Sequence, residues 1–452
     1  MRLAIVLARV LTLATLCTSP LFAQIPIRVE DTDLIPMEVH AARRATLRER
    51  HLSARHALLV QGADVRNRQN DVDFEYRQNS NLLYLTGYSY PGAALLIVHD
   101  GVRVGDRLVH DVLFVKERVP MRERYEGAIP GPKEAYAMFG VDTTLPFDQL
   151  TAILDSALVT CDTLFLGSLP TKQLMVAPAG KAIYAEAEIR SALKKKHDSL
   201  VVTSNYQGLA RMREVKDTAE IRLLQRAIDI TVDAHLEAMR GARAGMREYE
   251  IEALIEYGFK KRGAEDVGYP SIVGSNYNAC VLHYTANRRA FGTGDLILAD
   301  CGAEYHGYTA DVTRTFPVNG HFTEDQRTIY RLVLAAQQAG IDSARAGAPF
   351  KAPHTAAYNV IAKGLKDLGI IDSTSQTSRY FMHGTSHYLG LDVHDAGTYG
   401  PLLPNSVITV EPGIYIPEGS PCDKRWWNIG VRIEDDILIT QDGPVNMSGR
   451  LP

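Results

Sequence analysis

Four acids and a cluster of histidines in the last third of the 452-residue chain are the residues best placed to do chemistry. The stretch Gly294 to Phe316 reads as two strands joined by a glycine-containing turn around Gly302 to Gly307, which can bring Asp300 and Asp311 side by side. Two carboxylates that close repel unless a proton or a cation lies between them. Alone, the pair is weak evidence, because aspartates beside a hairpin turn usually cap it or face water. Glu411 ends the apolar run Val407-Ile-Thr-Val and runs straight into Pro412-Gly413, while Glu434 lies inside Gly430-Val-Arg-Ile-Glu-Asp-Asp-Ile-Leu-Ile. By the two-residue period of a strand, Arg432, Glu434 and Asp436 share one face and Val431, Ile433 and Ile437 the other. A glutamate embedded there needs a partner, since a buried unpaired carboxylate is costly; Arg432 in a structural ion pair would satisfy it as well as a metal would. The segment His383-Gly-Thr-Ser-His387-Tyr-Leu-Gly-Leu-Asp-Val-His394 then places three of the chain's 14 histidines within twelve positions, with glycines that let backbone approach a site closely. Any one of these histidines alone reads as structural. One imidazole with four carboxylates, however, forms a hard, oxygen-rich set that suits two Mn²⁺-like ions sharing carboxylates better than a zinc finger. Two metals with a water between them favour hydrolysis.

The elements that must position these residues fall into two blocks. In the first, Pro36 to Leu52 patterns as a basic amphipathic helix. The short apolar runs Ala57 to Val60, Asn81 to Leu85, Ala93 to Val98, Asp111 to Val115 and Thr163 to Leu166 lie between Gly, Pro and Asp punctuation, and strands alternating with helical segments indicate an α/β domain. The charge run Lys194 to His197 reads as a solvated turn, and with the polar Thr203 to Gln207 it marks a boundary near residue 200. The second block opens with a helix capped by Asp217, with Glu220 completing a capping box. A further long helix follows Thr323 and its partner Gln326. Strands are expected at Leu296 to Asp300, Ala310 to Phe316, Val407 to Glu411 and Val431 to Ile439, giving an α+β domain of about 240 residues.

Composition narrows the function classes. The 49 Lys and Arg against 53 Asp and Glu give a formal charge of −4, no footprint for a phosphate backbone, so no nucleic acid is expected as partner. Met1 to Ala23 has Arg2 and Arg9, no acid, the apolar run Val10 to Leu16, then Ser19-Pro20 and a small Ala23, the pattern of a cleaved secretory signal. Its removal takes away two arginines and Cys17, leaves an excess of acid, and implies a secreted or periplasmic protein. No other stretch is apolar enough to span a membrane. The remaining Cys161, Cys280, Cys301 and Cys422 have no CxxC spacing, against a thiolate zinc site. Strand alternation turns Cys301 away from the side of Asp300, into the core.

The Asp300 to Asp311 hairpin, His387-Tyr-Leu-Gly, Glu411-Pro-Gly and Arg432-Ile-Glu434 together resemble the metal site of the pita-bread metallopeptidases, which include methionine aminopeptidase, prolidase and Xaa-Pro aminopeptidase. The resemblance is greatest to the Xaa-Pro aminopeptidase (aminopeptidase P) branch and covers nearly the whole mature chain. Tyr76-Arg-Gln-Asn-Ser-Asn-Leu-Leu-Tyr-Leu-Thr-Gly87 is similar to that branch's N-terminal domain, and Ser271-Ile-Val-Gly-Ser-Asn and Cys280-Val-Leu-His283-Tyr-Thr to its catalytic domain.

The resemblance implies an α+β pita-bread catalytic domain, residues 206–452, preceded by a smaller α/β N-terminal domain, 24–205, after a signal at 1–23. It implies that Asp311 and Glu434 bridge two divalent metals, with Asp300 completing one shell and His387 and Glu411 the other. Mn²⁺ is the expected ion, Zn²⁺ or Co²⁺ the alternatives. A metal-bridging hydroxide would attack the scissile carbonyl, Glu411 accepting its proton. His283 and His394 are assigned to carbonyl polarisation and proton transfer at the leaving nitrogen, Tyr415 and Arg432 to support, and His383 either to substrate contact or to support of a ligand. The expected substrates are peptides with proline at the second position, and the expected assembly a homodimer or homotetramer. A prolidase limited to Xaa-Pro dipeptides, or a non-catalytic pita-bread peptide-binding protein, are the alternatives.

Overall fold

The computed structural model describes residues 26–27, 29–167, 174–176, 182–204 and 206–452, so the expected signal segment lies outside the described residues. The chain divides into two compact units, one ending at Ser204 and the other beginning at Asn205.

The first unit is built on a six-stranded mixed sheet. Its central strands His56–Gln61 and Ala93–Val104 are antiparallel, while Thr163–Leu166 and Val201–Thr203 are added in parallel. Four of the five apolar runs are strands of this sheet. The fifth is not: Asn81 to Leu85 lies in the helix Ser80–Thr86, because the Asn79 side chain accepts hydrogen bonds from the Asn81 and Leu82 amides and Gly87 ends it. Lys194 to Lys196 also differ from expectation. They form the last turn of the helix Ala185–Lys196, where cations face the negative end of the helix dipole.

The second unit is organised as two matching halves. Helices α1 (Gln207–Glu214), α2 (Thr218–Gly241) and α3 (Glu248–Lys260) precede strands β1 (Asp266–Val267), β2 (Ile272–Ser275), β3 (Leu296–Cys301), β4 (Ala303–Tyr305), β5 (Tyr308–Thr309) and β6 (Val312–Pro317). Helices α4 (Glu324–Ser343) and α5 (Ala352–Asp367) precede β7 (Val407–Val410), β8 (Gly413–Ile416), β9 (Ile429–Arg432), β10 (Asp435–Ile439) and β11 (Pro444–Asn446). Both expected capping boxes, Asp217 with Glu220 and Thr323 with Gln326, are formed. In each half a helix pair packs on strands. Ile230, Ala234, Ile251 and Ile255 cover Val273, Ile297 and Cys301, while Ile329, Val333, Ile361 and Leu365 cover Ile414, Ile416 and Val431. Cys301 is fully buried in the first of these clusters.

Each half also contains a long hairpin that breaks midway, so that its two ends join different sheets. In the first, β3 pairs with β6 and, beyond the break, β4 pairs with β5. The reversal is narrower than the expected Gly302 to Gly307 turn: it lies at His306 and Gly307, both with positive φ (49° and 82°). Gly302 marks the break instead, since a Cβ there would sit 1.8 Å from the Ala310 carbonyl oxygen. In the second half, β7 pairs with β10 and β8 with β9. The single strand expected over Val431 to Ile439 is therefore two, parted at Ile433 and Glu434. Among the described residues no helix is long and apolar enough to cross a membrane.

Candidate metal centre and substrate pocket

The two hairpin breaks carry the acids. Asp311 lies between β5 and β6, Glu411 between β7 and β8, and Glu434 between β9 and β10, while Asp300 is next to last in β3. A residue at a break leaves the ladder's pleat and can turn its side chain inward whatever its neighbours do. Asp300 pairs across the sheet with Thr313 and not with Asp311, so the two aspartates meet by the bend and not by register. His387 comes from a segment docked on β7, where its amide donates to Thr409 Oγ1 (3.2 Å) and its carbonyl accepts from the Thr409 amide (3.0 Å). The two halves are stitched at this level. Thr313 Oγ1 donates to Glu434 Oε2 (2.7 Å), Thr315 Oγ1 donates to the Arg432 carbonyl (2.9 Å), and the Glu434 amide donates to the Thr313 carbonyl (3.1 Å).

Ligand atoms of Asp311, His387 and Glu434 lie within 4.8 Å of one another, the only such cluster among the described residues. His387 Nε2 is 3.3 Å from Asp311 Oδ2 and 3.8 Å from Glu411 Oε1. Its Nδ1 donates to the Tyr388 carbonyl (3.0 Å), which fixes the ring so that Nε2 faces the acids. Among the described residues, Arg432 is the one arginine or lysine paired with them, 2.6 Å from Asp300 Oδ2. Burial pushes Asp300 and Glu434 above the usual carboxylate range, Asp311's charge adding to the effect at both, and Glu411 is pushed up to about 7, again mainly by burial. Burial alone would lower His387, but its bond to Asp311 and the charges of Asp311 and Glu411 raise it to about 9. So many buried acids with one arginine are short of positive charge, and hard oxygen donors with one imidazole fit divalent ions.

The remaining expected residues gather around the same cavity, of about 610 Å³, whose walls include Tyr269, Ile272, Leu282, His283, Val393 and His394 beside the acids. His383 and Arg432 also line it, whereas Tyr415 is buried behind them. Arg432 Nη1 donates to the Tyr415 hydroxyl (2.9 Å), which donates to His383 Nε2 (2.9 Å), and His383 Nδ1 donates to the Gly384 carbonyl (2.7 Å). Burial and the charge of Arg432 lower His383 to about 4, so the ring is neutral and both its nitrogens are engaged within the protein. His394 packs with its ring 4.2 Å from that of His387, and burial, then His387's charge, lowers it.

Three contributors were not visible as site residues in the sequence. The buried Tyr269 hydroxyl lies 2.6 Å from both Asp300 Oδ1 and Asp311 Oδ1, sharing one proton between two acids. Asp436 reaches around the back, Oδ2 accepting from the Asp311 amide (3.2 Å). The strip Arg213-Glu214-Val215-Lys216 holds the histidine loop from behind. Arg213 and Lys216 pair with buried Asp395, and Glu214 accepts from the Tyr388 hydroxyl (2.7 Å) and the Thr398 amide (2.9 Å). Tyr269→Phe removes the shared proton donor without changing volume, and is expected to weaken metal binding about 10- to 100-fold. Equilibrium dialysis against Mn²⁺ measures this, and an unchanged affinity would leave the hydroxyl no part in the site.

Comparison with known proteins bears on the same regions. Residues 222–441 match the model of metallopeptidase family M24, and residues 40–165 that of the aminopeptidase P N-terminal domain. The Xaa-Pro aminopeptidase of Escherichia coli is 36% identical, the alignment covering 90% of this chain and 93% of that protein. The Xaa-Pro aminopeptidase of Haemophilus influenzae is 35% identical, over 88% and 90% of the two chains. Among solved structures, zinc-substituted Escherichia coli aminopeptidase P in complex with product superposes with a TM-score of 0.82 at 34% identity, covering 92% of this chain and 96% of that one. With relatives alignable over about nine-tenths of its length and both of its domains matched, this chain belongs to metallopeptidase family M24, in the group that carries an aminopeptidase P N-terminal domain.

Proposed function

We propose that this chain is an aminopeptidase that hydrolyses the bond between an N-terminal residue and a penultimate proline, working with two divalent ions. The observation that carries the reading is the gathering of four acids and His387 on one wall of a cavity, in a chain whose full-length relatives are Xaa-Pro aminopeptidases. Asp300, Asp311, His387, Glu411 and Glu434 would hold the ions. When bound, such ions polarise a carbonyl and bring the ionisation of water to near neutral pH.

The protein's own groups do the rest. Glu411, at the β7–β8 break beside the other acids, would take the proton of the attacking water. An Xaa-Pro bond is a tertiary amide without N–H, so the site must hold a ring where other peptides would offer a hydrogen bond. The cavity supplies apolar wall for it at Ile272, Leu282 and Val393. His283 and His394 face the same space and would serve the carbonyl and the leaving nitrogen. The arginine, tyrosine and histidine chain Arg432–Tyr415–His383 places its polar atoms in mutual hydrogen bonds and fixes the wall beside Glu411. The substrate's free ammonium is drawn to the acids, which selects for a peptide N-terminus.

The reading also takes Mn²⁺ as the working ion, supported by the oxygen-rich donor set, export with cleavage before Gln24, supported by the Met1 to Ala23 pattern, and a homodimer or homotetramer, the expectation carried by the family resemblance. Metal-loaded protein is expected to release the first residue from Xaa-Pro-Xaa tripeptides, followed by chromatography of the products. Cleavage of Xaa-Pro dipeptides alone would make it a prolidase, and no cleavage of either in protein that binds metal would make it a peptide-binding relative.

A further inference from the structure

His283 has no hydrogen bond of its own among the described residues, yet it must present its ring at a fixed place in the cavity. What holds it is the residue that follows. Tyr284 turns inward as His283 turns out, and its hydroxyl donates to Glu248 Oε2 (2.9 Å). Glu248 is the first residue of α3 and has no exposed surface. Among the described residues no lysine or arginine pairs with its carboxylate; instead it collects donors from both sides of the histidine. Ser275 gives its amide (2.9 Å) and hydroxyl (2.8 Å), Asn278 its side-chain amide (3.1 Å), and Arg289 its backbone amide (2.8 Å). The Glu248 amide donates back to the Arg289 carbonyl (3.0 Å), closing both ends of the segment onto the helix terminus. Asn287, with φ of 49°, adds a clamp on the descending side, bonding the Val273 amide and the Ser271 carbonyl.

A buried carboxylate surrounded only by donors is stabilised by charge-assisted bonds and by the positive end of its own helix. A glutamine would turn an N–H₂ toward N–H and O–H groups and could accept at only one atom. The network is therefore specific for a carboxylate, and it spans Ser275 to Arg289, the stretch that carries His283. We infer that Glu248, acting through Tyr284, is a positioning residue for His283, setting where the imidazole meets the scissile bond while touching neither substrate nor metal. This rests on the reading of His283 as a substrate-facing group.

The test is a double-mutant cycle on metal-loaded full-length protein with an Xaa-Pro-Xaa peptide. Glu248→Gln and Tyr284→Phe are each expected to lower kcat/KM by about 10- to 100-fold, the range for a misplaced reacting group, with metal content unchanged. In a His283→Ala background the same changes should cost little more, because the group they position is gone. Losses that multiply in that background overturn the inference and make Glu248 a merely structural acid. If His283→Ala alone keeps full turnover, the reading of His283 fails and the positioning role falls with it. Should Glu248→Gln not fold, Tyr284→Phe keeps the remaining bonds to Glu248 and gives the same comparison.

Discussion

Glu411→Gln is expected to lower kcat on Xaa-Pro peptides at least about a thousandfold while leaving KM within a few-fold. The substitution keeps the shape of the side chain and deletes two functions at once, an anionic ligand and the carboxylate that would receive the proton of the water. Its surroundings make the loss hard to repair. Glu411 sits at the β7–β8 break with its amide bonded to the Thr385 carbonyl (2.9 Å). Two imidazoles face it, His383 Nδ1 (3.6 Å), whose proton is committed to Gly384, and His387 Nε2 (3.8 Å), which faces the acids. Neither imidazole is free to take over as base. Steady-state kinetics, with metal content measured in parallel, decide the matter. Loss of both metal and activity assigns Glu411 chiefly as a ligand, loss of activity with metal retained assigns it as the base, and full turnover refutes both roles.

The second large effect concerns metal removal and pH together. Chelation is expected to abolish turnover, and the metal-free protein should become less stable as pH rises from 7 to 9, above the range in which the lowered His383 and His394 act in the opposite sense. Asp300, Glu411 and Glu434 keep their protons in the metal-free fold to higher pH than in an unfolded chain. The stability carried by those protons is present in acid and is lost as pH climbs through the folded values, about 7 for Glu411. His387, raised to about 9, adds to the trend. Its contribution is complete below the ordinary imidazole value of about 6.5 and disappears as pH passes through its folded value. A fall in Tm of about 5 °C or more across this window is expected from shifts of this kind. Divalent ions must displace the same protons, so metal affinity should rise with pH and the metal-loaded Tm should separate from the metal-free one most widely at pH 8–9. Scanning calorimetry of chelated and Mn²⁺-loaded protein tests this, and a metal-free Tm that rises from pH 7 to 9 would show that these groups are not crowded as described.

How much of this could be read from the chain depended on the range of the interactions. The helix starts at Asp217 and Thr323 were legible because a capping box is complete within four residues. The acids themselves stood out, since each interrupts an apolar run. The split of Val431 to Ile439 was not legible, because nothing local distinguishes a strand that changes sheets at Glu434 from one that continues; the break is imposed by pairing with β7 on one side and β8 on the other. Asn81 to Leu85 misled for the opposite reason, an apolar run too short for periodicity to decide between strand and helix, although Asn79 and Gly87 were there as caps. Tyr269 carried no signal beyond standing between Gly268 and Pro270. The partners of Arg213 and Lys216 lie some 180 residues away, beyond any spacing argument.

That last separation bears on how the protein comes to be active. Arg213 and Lys216 give up their water against Asp395, with Asp392 as a second partner of Arg213, because a buried cation without its counter-ion costs several kcal/mol. Closing so long a span of chain is slow in folding, since its entropy is lost before the contact returns anything. The burial of the strip and the fastening of the loop that holds His387 and His394 rest on the same ion pairs, so whatever loosens one loosens the other.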